Sequence, residues 1–68
     1  MEEKIKAYCE EELNNAKRWN KMGFDTRSCL TRAYGATMFY LNYVLNEYDQ
    51  NFANWWEDEM LPKFLKIS

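Results

Sequence analysis

Apolar residues recur at intervals of three and four through the first third of the chain. At 100° per residue they fall on one helical face: Ile5, Tyr8, Cys9, Leu13, Ala16 and Trp19. The carboxylates of Glu2 and Glu3 suit the positive end of a helix dipole. Gly23 can adopt the left-handed conformation that commonly follows a helix. The pattern therefore predicts helix 1 over about residues 2–22.

The next segment is apolar around most of its circumference. One line has the alternating four- and three-residue spacing of a heptad: Leu30, Tyr34, Thr37, Leu41, Val44 and Tyr48. A second line lies beside it: Cys29, Ala33, Ala36, Tyr40 and Tyr43. Even the narrow polar wedge is interrupted, by Gly35 and Phe39. With Asp25 or Thr26 as a cap, this predicts helix 2 over about residues 26–48 as the central element. The short connection to helix 1 predicts an antiparallel hairpin.

A third, shorter helix is predicted over about residues 51–61, carrying Phe52, Trp55, Trp56 and Met60. Pro62 cannot continue an undistorted helix, because it lacks the backbone N–H and clashes with the preceding turn. The tail over residues 62–68 can add one short helical turn with Pro62 at its first position. We therefore expect an all-α fold with a single domain over residues 1–68.

Two features favour completion of a helical bundle by oligomerisation. A chain of 68 residues buries only about 60% of the surface that its unfolded form exposes. Helix 1 offers one apolar stripe and helix 3 is short, so neither is expected to cover helix 2. We expect a homodimer, or a higher even-numbered oligomer, that buries the second line of helix 2 at its interface: Cys29, Ala33, Ala36, Tyr40 and Tyr43.

Glu12 interrupts the apolar face of helix 1. The simpler interpretation is that its flexible side chain reaches water at the edge of the stripe, near Glu11 or Asn15. The alternative is a buried polar group that fixes the helix register or binds a ligand.

The adjacent Trp55 and Trp56 point about 100° apart on a helix. One indole is expected to pack on helix 2 while the other reaches the surface or a partner, although core packing of both is an equal alternative. Both are therefore candidate partner-binding residues.

Charge is divided unevenly along the chain. Between Lys17 and Arg32 there are five cations and one carboxylate, whereas the remainder has four cations and ten carboxylates. A hairpin gathers the first group into a basic end, where Arg27 and Arg32 are candidates for partner binding. The net charge of −2 nevertheless argues against nucleic acid as a partner.

The residue inventory argues against catalysis and against bound metals or cofactors. The chain has no histidine, two cysteines and two glycines, which excludes imidazole-based triads and a Gly-rich phosphate loop. Two thiols are too few for a structural zinc site. No secretory pattern begins the chain, so we expect a cytoplasmic protein with reduced thiols. No apolar run approaches the roughly 20 residues of a membrane span, so no membrane association is expected.

These features together predict a small self-associating helical module for interaction or regulation, without catalytic activity. Its expected partners are a second copy and an unidentified protein. Two alternatives remain: a nucleic-acid-binding regulator that uses the basic hairpin end, and an acidic inhibitor that binds a basic protein surface.

Overall fold

The computed structural model describes residues 1–45 and 49–67, and every regular element within them is helical. In chain order these are α1 Glu2–Lys21, α2 Arg27–Phe39, a first π-helical turn Tyr40–Val44, α3 Gln50–Asn54, a second π-helical turn Trp55–Met60 and α4 Leu61–Leu65. The backbone stays helical where α2 meets the first π-helical turn and where α3 meets the second. Helix 2 is therefore α2 with the first π-helical turn, and helix 3 runs from α3 to α4. The all-α class is confirmed, and the predicted last residues of helix 2 lie outside the described ranges.

Helix 1 ends in a glycine cap, as the sequence predicts. Gly23 has a φ of 81°, and its N–H donates to the Asn20 carbonyl at 3.1 Å. The Phe24 N–H donates to the Trp19 carbonyl at 2.9 Å. These two bonds form a Schellman motif, which satisfies carbonyls left open at the end of the helix and reverses the chain.

The three helices form an up-down-up bundle within one chain. Cys9 meets Thr37, and Glu12 meets Arg32, so helices 1 and 2 are antiparallel. The ring of Phe52 lies 4.8 Å from that of Tyr40. Farther along helix 3, Trp56 approaches Tyr34, which places helix 3 antiparallel to helix 2. The bundle measures 38 × 18 × 16 Å.

The core draws on all three helices. Its main cluster consists of Cys9, Leu13, Ala16, Cys29, Ala33, Trp56, Met60 and Phe64. A second cluster, formed by Tyr40, Leu41 and Phe52, fills the end near the start of helix 1. Helix 3 therefore covers the hairpin to a greater extent than its predicted length suggested.

Pro62 does not end helix 3. The second π-helical turn precedes it, with the Leu61 N–H donating to the Trp56 carbonyl, and α4 continues to Leu65. A π-helical turn is wider than an α-helical one, and so provides room for a proline ring that has no N–H to donate. This extension brings Phe64 into the core. The predicted end near residue 61 is therefore too early, whereas the predicted extra turn beginning at Pro62 corresponds to α4.

Candidate functional site

The predicted interface line of helix 2 is largely covered by the chain itself. Cys29, Ala33 and Tyr40 are buried, Ala36 is half-buried and Tyr43 is exposed. The expectation that helices 1 and 3 leave this line uncovered is therefore wrong for the first three. The reason is that helix 1 packs along α2, and the ring of Phe52 on helix 3 packs against Tyr40.

An aromatic pair instead occupies the outer face of helix 2. Phe39 and Tyr43, one turn apart, are 56% and 76% exposed, and their ring centroids lie 5.5 Å apart. Val44 is also exposed beside them. A methyl group added to Gly35, one turn before Phe39, would meet nothing within 4 Å apart from its chain neighbours and the backbone of its own helix, so the outer side of the helix is open there. We call Gly35, Phe39, Tyr43 and Val44 the aromatic surface.

Sequence reasoning included Tyr43 in an interface but missed Phe39. The available signal was that Gly35 and Phe39 interrupt the polar wedge of helix 2. Periodicity identifies apolar positions on a helix, but it does not show which of them a third helix covers.

Glu12 does not reach water at the edge of helix 1. Its side chain is buried, and its Oε2 accepts a hydrogen bond from Nε of Arg32 on helix 2. Its Oε1 accepts a second hydrogen bond, from Nδ2 of Asn15 at 2.9 Å. Both carboxylate oxygens therefore have partners, as a buried charge requires. The alternative interpretation, a buried polar contact between helices, describes the observed geometry.

Arg32, predicted to bind a partner, contacts Glu12, Cys29 and Trp19 within the chain. Besides its ion pair with Glu12, its Nη2 lies 3.6 Å from Sγ of Cys29, and its guanidinium carbon lies 5.5 Å from the Trp19 ring centroid. The hydrogen bond to Glu12 raises the pKa of Arg32. The contacts with Glu12 and Trp19 join helix 1 to helix 2, while 41% of the Arg32 side chain stays exposed.

Arg27, the other predicted cation, is exposed and paired locally. Its Nη2 lies 2.6 Å from Oδ2 of Asp25, and its backbone N–H donates to Oδ1 of the same carboxylate. These hydrogen bonds lower the pKa of Asp25. The pair closes the hairpin turn where helix 2 begins.

The two neighbouring tryptophans diverge, as their helical positions require. Trp56 is buried between the rings of Tyr34 and Phe64, at 6.1 and 6.0 Å. Trp55 is half-buried against Phe52. Nζ of Lys6 lies 5.1 Å from a Trp55 ring centroid, a distance typical of a cation–π contact. Trp55 also lines a shallow open groove with Lys6, Asn51, Asn54, Asp58 and Glu59.

Both cysteines are buried free thiols in the core. Burial raises the pKa of Cys9 and that of Cys29, which disfavours the nucleophilic thiolate form at neutral pH. Within residues 1–45 and 49–67, no cluster of three or more cysteine and carboxylate side chains could hold a metal ion.

No protein-family model, curated protein or solved structure matches this chain significantly. In the part of the chain that the structure describes, no helix is long and apolar enough to span a membrane.

Proposed function

We propose that this chain is a small helical interaction module that associates with a second copy of itself through the aromatic surface, and that it has no catalytic activity. The observation that carries the proposal is the exposure of Phe39 and Tyr43 side by side next to the open backbone of Gly35. Each of these residues would remain in water if the chain stayed alone.

The aromatic surface has the properties of an interface centre. Aromatic side chains dominate the energetics of many interfaces, and Tyr combines a large apolar area with a polar tip. The rings of Phe39 and Tyr43 already contact each other. Their side chains therefore have less conformational freedom to lose on binding. An open position at Gly35 lets a partner helix approach closely.

Charge complementarity favours a second copy as the partner. Burial, and after it the nearby carboxylates of Glu2 and Asp49, raise the pKa of Tyr40, so this end of helix 2 is acidic. Arg32 lies toward the opposite, basic end, about 10 Å of helix from Phe39. An antiparallel mate centred on Phe39 would bring each Arg32 near the acidic end of the other copy. Such a two-fold arrangement uses the same surface twice, and its charge contribution would be modest and sensitive to salt.

The absence of catalysis is supported by how the reactive groups are used. The two thiols are buried with raised pKa values, and Glu12 is held in an ion pair. Unpaired thiols are typical of a reducing compartment. We accordingly propose a cytoplasmic location.

Sedimentation equilibrium at tens of micromolar protein tests the association. The wild type is expected to have a mass of twice the 8.3 kDa chain. Phe39→Glu and Tyr43→Glu are expected to give the monomer mass, because each places a charge at the centre of the interface. Leu65→Glu is the matched control, since it replaces an equally exposed apolar residue on α4 and should remain dimeric. A monomeric wild type, or a dimer that survives both aromatic substitutions, would contradict the proposal.

A further inference from the structure

The hairpin turn ends in exposed apolar side chains. Met22 and Phe24 are each more than half exposed, on either side of Gly23. The Schellman hydrogen bonds fix the backbone of this turn, so the two side chains are held at the extremity of the bundle. Neither belongs to the core clusters.

The C-terminal helix brings a third apolar residue and two more cations to the same end. Phe52 is level with Tyr40, and Trp56 is level with Tyr34, in the antiparallel pairing of helices 2 and 3. Continuing this register places α4 beside the start of helix 2, and α4 also packs against α1. Leu65, more than half exposed, therefore lies near the hairpin turn with Lys63 and Lys66.

This end, which we call the basic tip, combines positive charge with protruding apolar side chains. Its apolar members are Met22, Phe24 and Leu65, and its exposed lysines are Lys17, Lys21, Lys63 and Lys66. Two arginines are also near this end, but Arg18 donates a hydrogen bond to Asn15 and Arg27 is paired with Asp25. Asp25 is the one carboxylate between Lys17 and Arg32, and it is paired with Arg27. The sequence alone assigned Lys63 and Lys66 to the acidic remainder, because their position depends on the direction of helix 3.

We propose that the basic tip docks on the surface of an anionic phospholipid bilayer. Met22, Phe24 and Leu65 would enter the interfacial layer, and the surrounding cations would contact lipid phosphates and carboxylates. Apolar side chains ringed by Lys and Arg are the combination that holds peripheral proteins on anionic membranes. Nucleic acid would use the cations but would leave three protruding apolar groups without a role.

The acidic remainder of the chain does not oppose this mode of binding. The bundle is 38 Å long, whereas charges are screened over about 8–10 Å at physiological salt. When the tip contacts a bilayer, the lipid headgroups therefore interact mainly with the positive charge of the tip and not with the distant carboxylates. Sequence analysis predicted no membrane association from the lack of a spanning segment, and surface docking does not require one.

The tip is separate from the aromatic surface. The helix axis from Arg27, where α2 begins, to Phe39 is about 18 Å long, and Phe24 lies in the turn before α2. A self-associated pair centred on Phe39 would leave the tip of each copy uncovered. Membrane docking and self-association can therefore be tested independently with the full chain.

Vesicle co-sedimentation tests the proposal, with phosphatidylcholine vesicles compared with vesicles that also contain phosphatidylserine. The wild type is expected to bind only the second kind, and less strongly as salt rises. Lys21→Gln combined with Lys66→Gln is expected to weaken binding by about 25-fold, because each cation near an anionic surface contributes roughly a fivefold effect. Phe24→Ser and Met22→Ser should each weaken it as well, since less apolar area enters the interface.

Two control variants separate the tip from the rest of the molecule. Lys4→Gln removes a cation at the opposite end, and Tyr8→Ser removes an exposed aromatic from helix 1, outside both the basic tip and the aromatic surface; both should retain the preference for anionic vesicles. No binding to anionic vesicles, equal binding to both kinds, or an equal loss with Lys4→Gln would overturn the proposal. Binding to a DNA duplex that is lost in the lysine double variant but unchanged by Phe24→Ser would instead assign the tip to nucleic acid.

Discussion

Glu12 and Arg32 form an ion pair that joins helix 1 to helix 2, and the two side chains differ in exposure. The Glu12 side chain is 7% exposed and that of Arg32 is 41% exposed. In the described part of the chain, Glu12 is the one buried charged residue. Any register shift between the helices would separate it from its partner while leaving it among apolar residues. We infer that the pair specifies the alignment of the hairpin.

This asymmetry predicts unequal effects of removing either partner. Arg32→Ala is expected to destabilise the fold strongly, because it leaves the Glu12 carboxylate buried without its cation. Glu12→Leu should change stability by no more than about 1 kcal/mol, since Arg32 can turn to water and leucine suits an apolar site. Urea unfolding followed by circular dichroism measures both. Arg27→Ala, which breaks the exposed pair with Asp25, is the matched control and should have a smaller effect than Arg32→Ala.

The second prediction concerns the packing of helix 3 within a single chain. Phe52 is fully buried against Tyr40 and Trp55. Phe52→Ala is expected to cost about 3–5 kcal/mol through lost burial and a residual cavity. A domain of this size has a total stability of about that amount, so much of the variant should be unfolded at room temperature. Leu65→Ala, at an exposed site on the same helix, should cost about 0.5 kcal/mol or less. Equal melting temperatures for the two variants would show that helix 3 does not complete the core.

Much of the local structure was predictable from the sequence, because it depends on neighbouring residues. Helical periodicity, together with Gly23 as a cap, identifies helix 1 and the hairpin. Burial at individual positions was harder to predict, because it depends on where a distant segment packs. Glu12 becomes buried because Arg32 reaches it from helix 2, and Lys63 joins the basic tip because helix 3 runs parallel to helix 1. Neither contact can be predicted from the spacing of residue types along the chain.

The third prediction links the buried thiols to the pH dependence of stability. Burial raises the pKa of Cys9 and of Cys29 in the folded chain above the ordinary value of 9.0. As pH rises through that value, the unfolded chain loses its thiol protons first. The free energy of unfolding should therefore fall above about pH 9 and be constant, as far as the thiols contribute, below about pH 8. The raised pKa of Tyr40 likewise lowers the free energy of unfolding at alkaline pH.

A comparison of variants isolates the thiol contribution. Cys9→Ala combined with Cys29→Ala should flatten the decrease in unfolding free energy between pH 8 and pH 10 without abolishing it, because Tyr40 remains. Thiol labelling of the native wild type should proceed at the rate of unfolding or local opening. Fast labelling of either cysteine in the native state at neutral pH would show that burial does not protect it.

The last prediction concerns the second π-helical turn, which acts as an α-helix with one additional residue before Pro62. Because of this additional residue, side chains spaced four apart point into the core: Trp56, Met60 and Phe64. Deleting the exposed Glu57 would change these spacings to three and four, which place all three on one face of an ordinary α-helix. Combined with Pro62→Ala, the deletion should therefore retain the fold, with a stability change of about 1 kcal/mol or less. With Pro62 kept, the Glu57 deletion should destabilise the fold by about 3 kcal/mol, because the proline ring would then lie in a regular α-helix.

Deleting the exposed Asn14 from α1 is the control. This deletion should unfold the chain, because it turns Cys9 and Leu13 about 100° away from Ala16. Thermal melts followed by circular dichroism distinguish the three variants, and unfolding of the Glu57 deletion with Pro62→Ala would mean that the core requires the π-helical geometry itself.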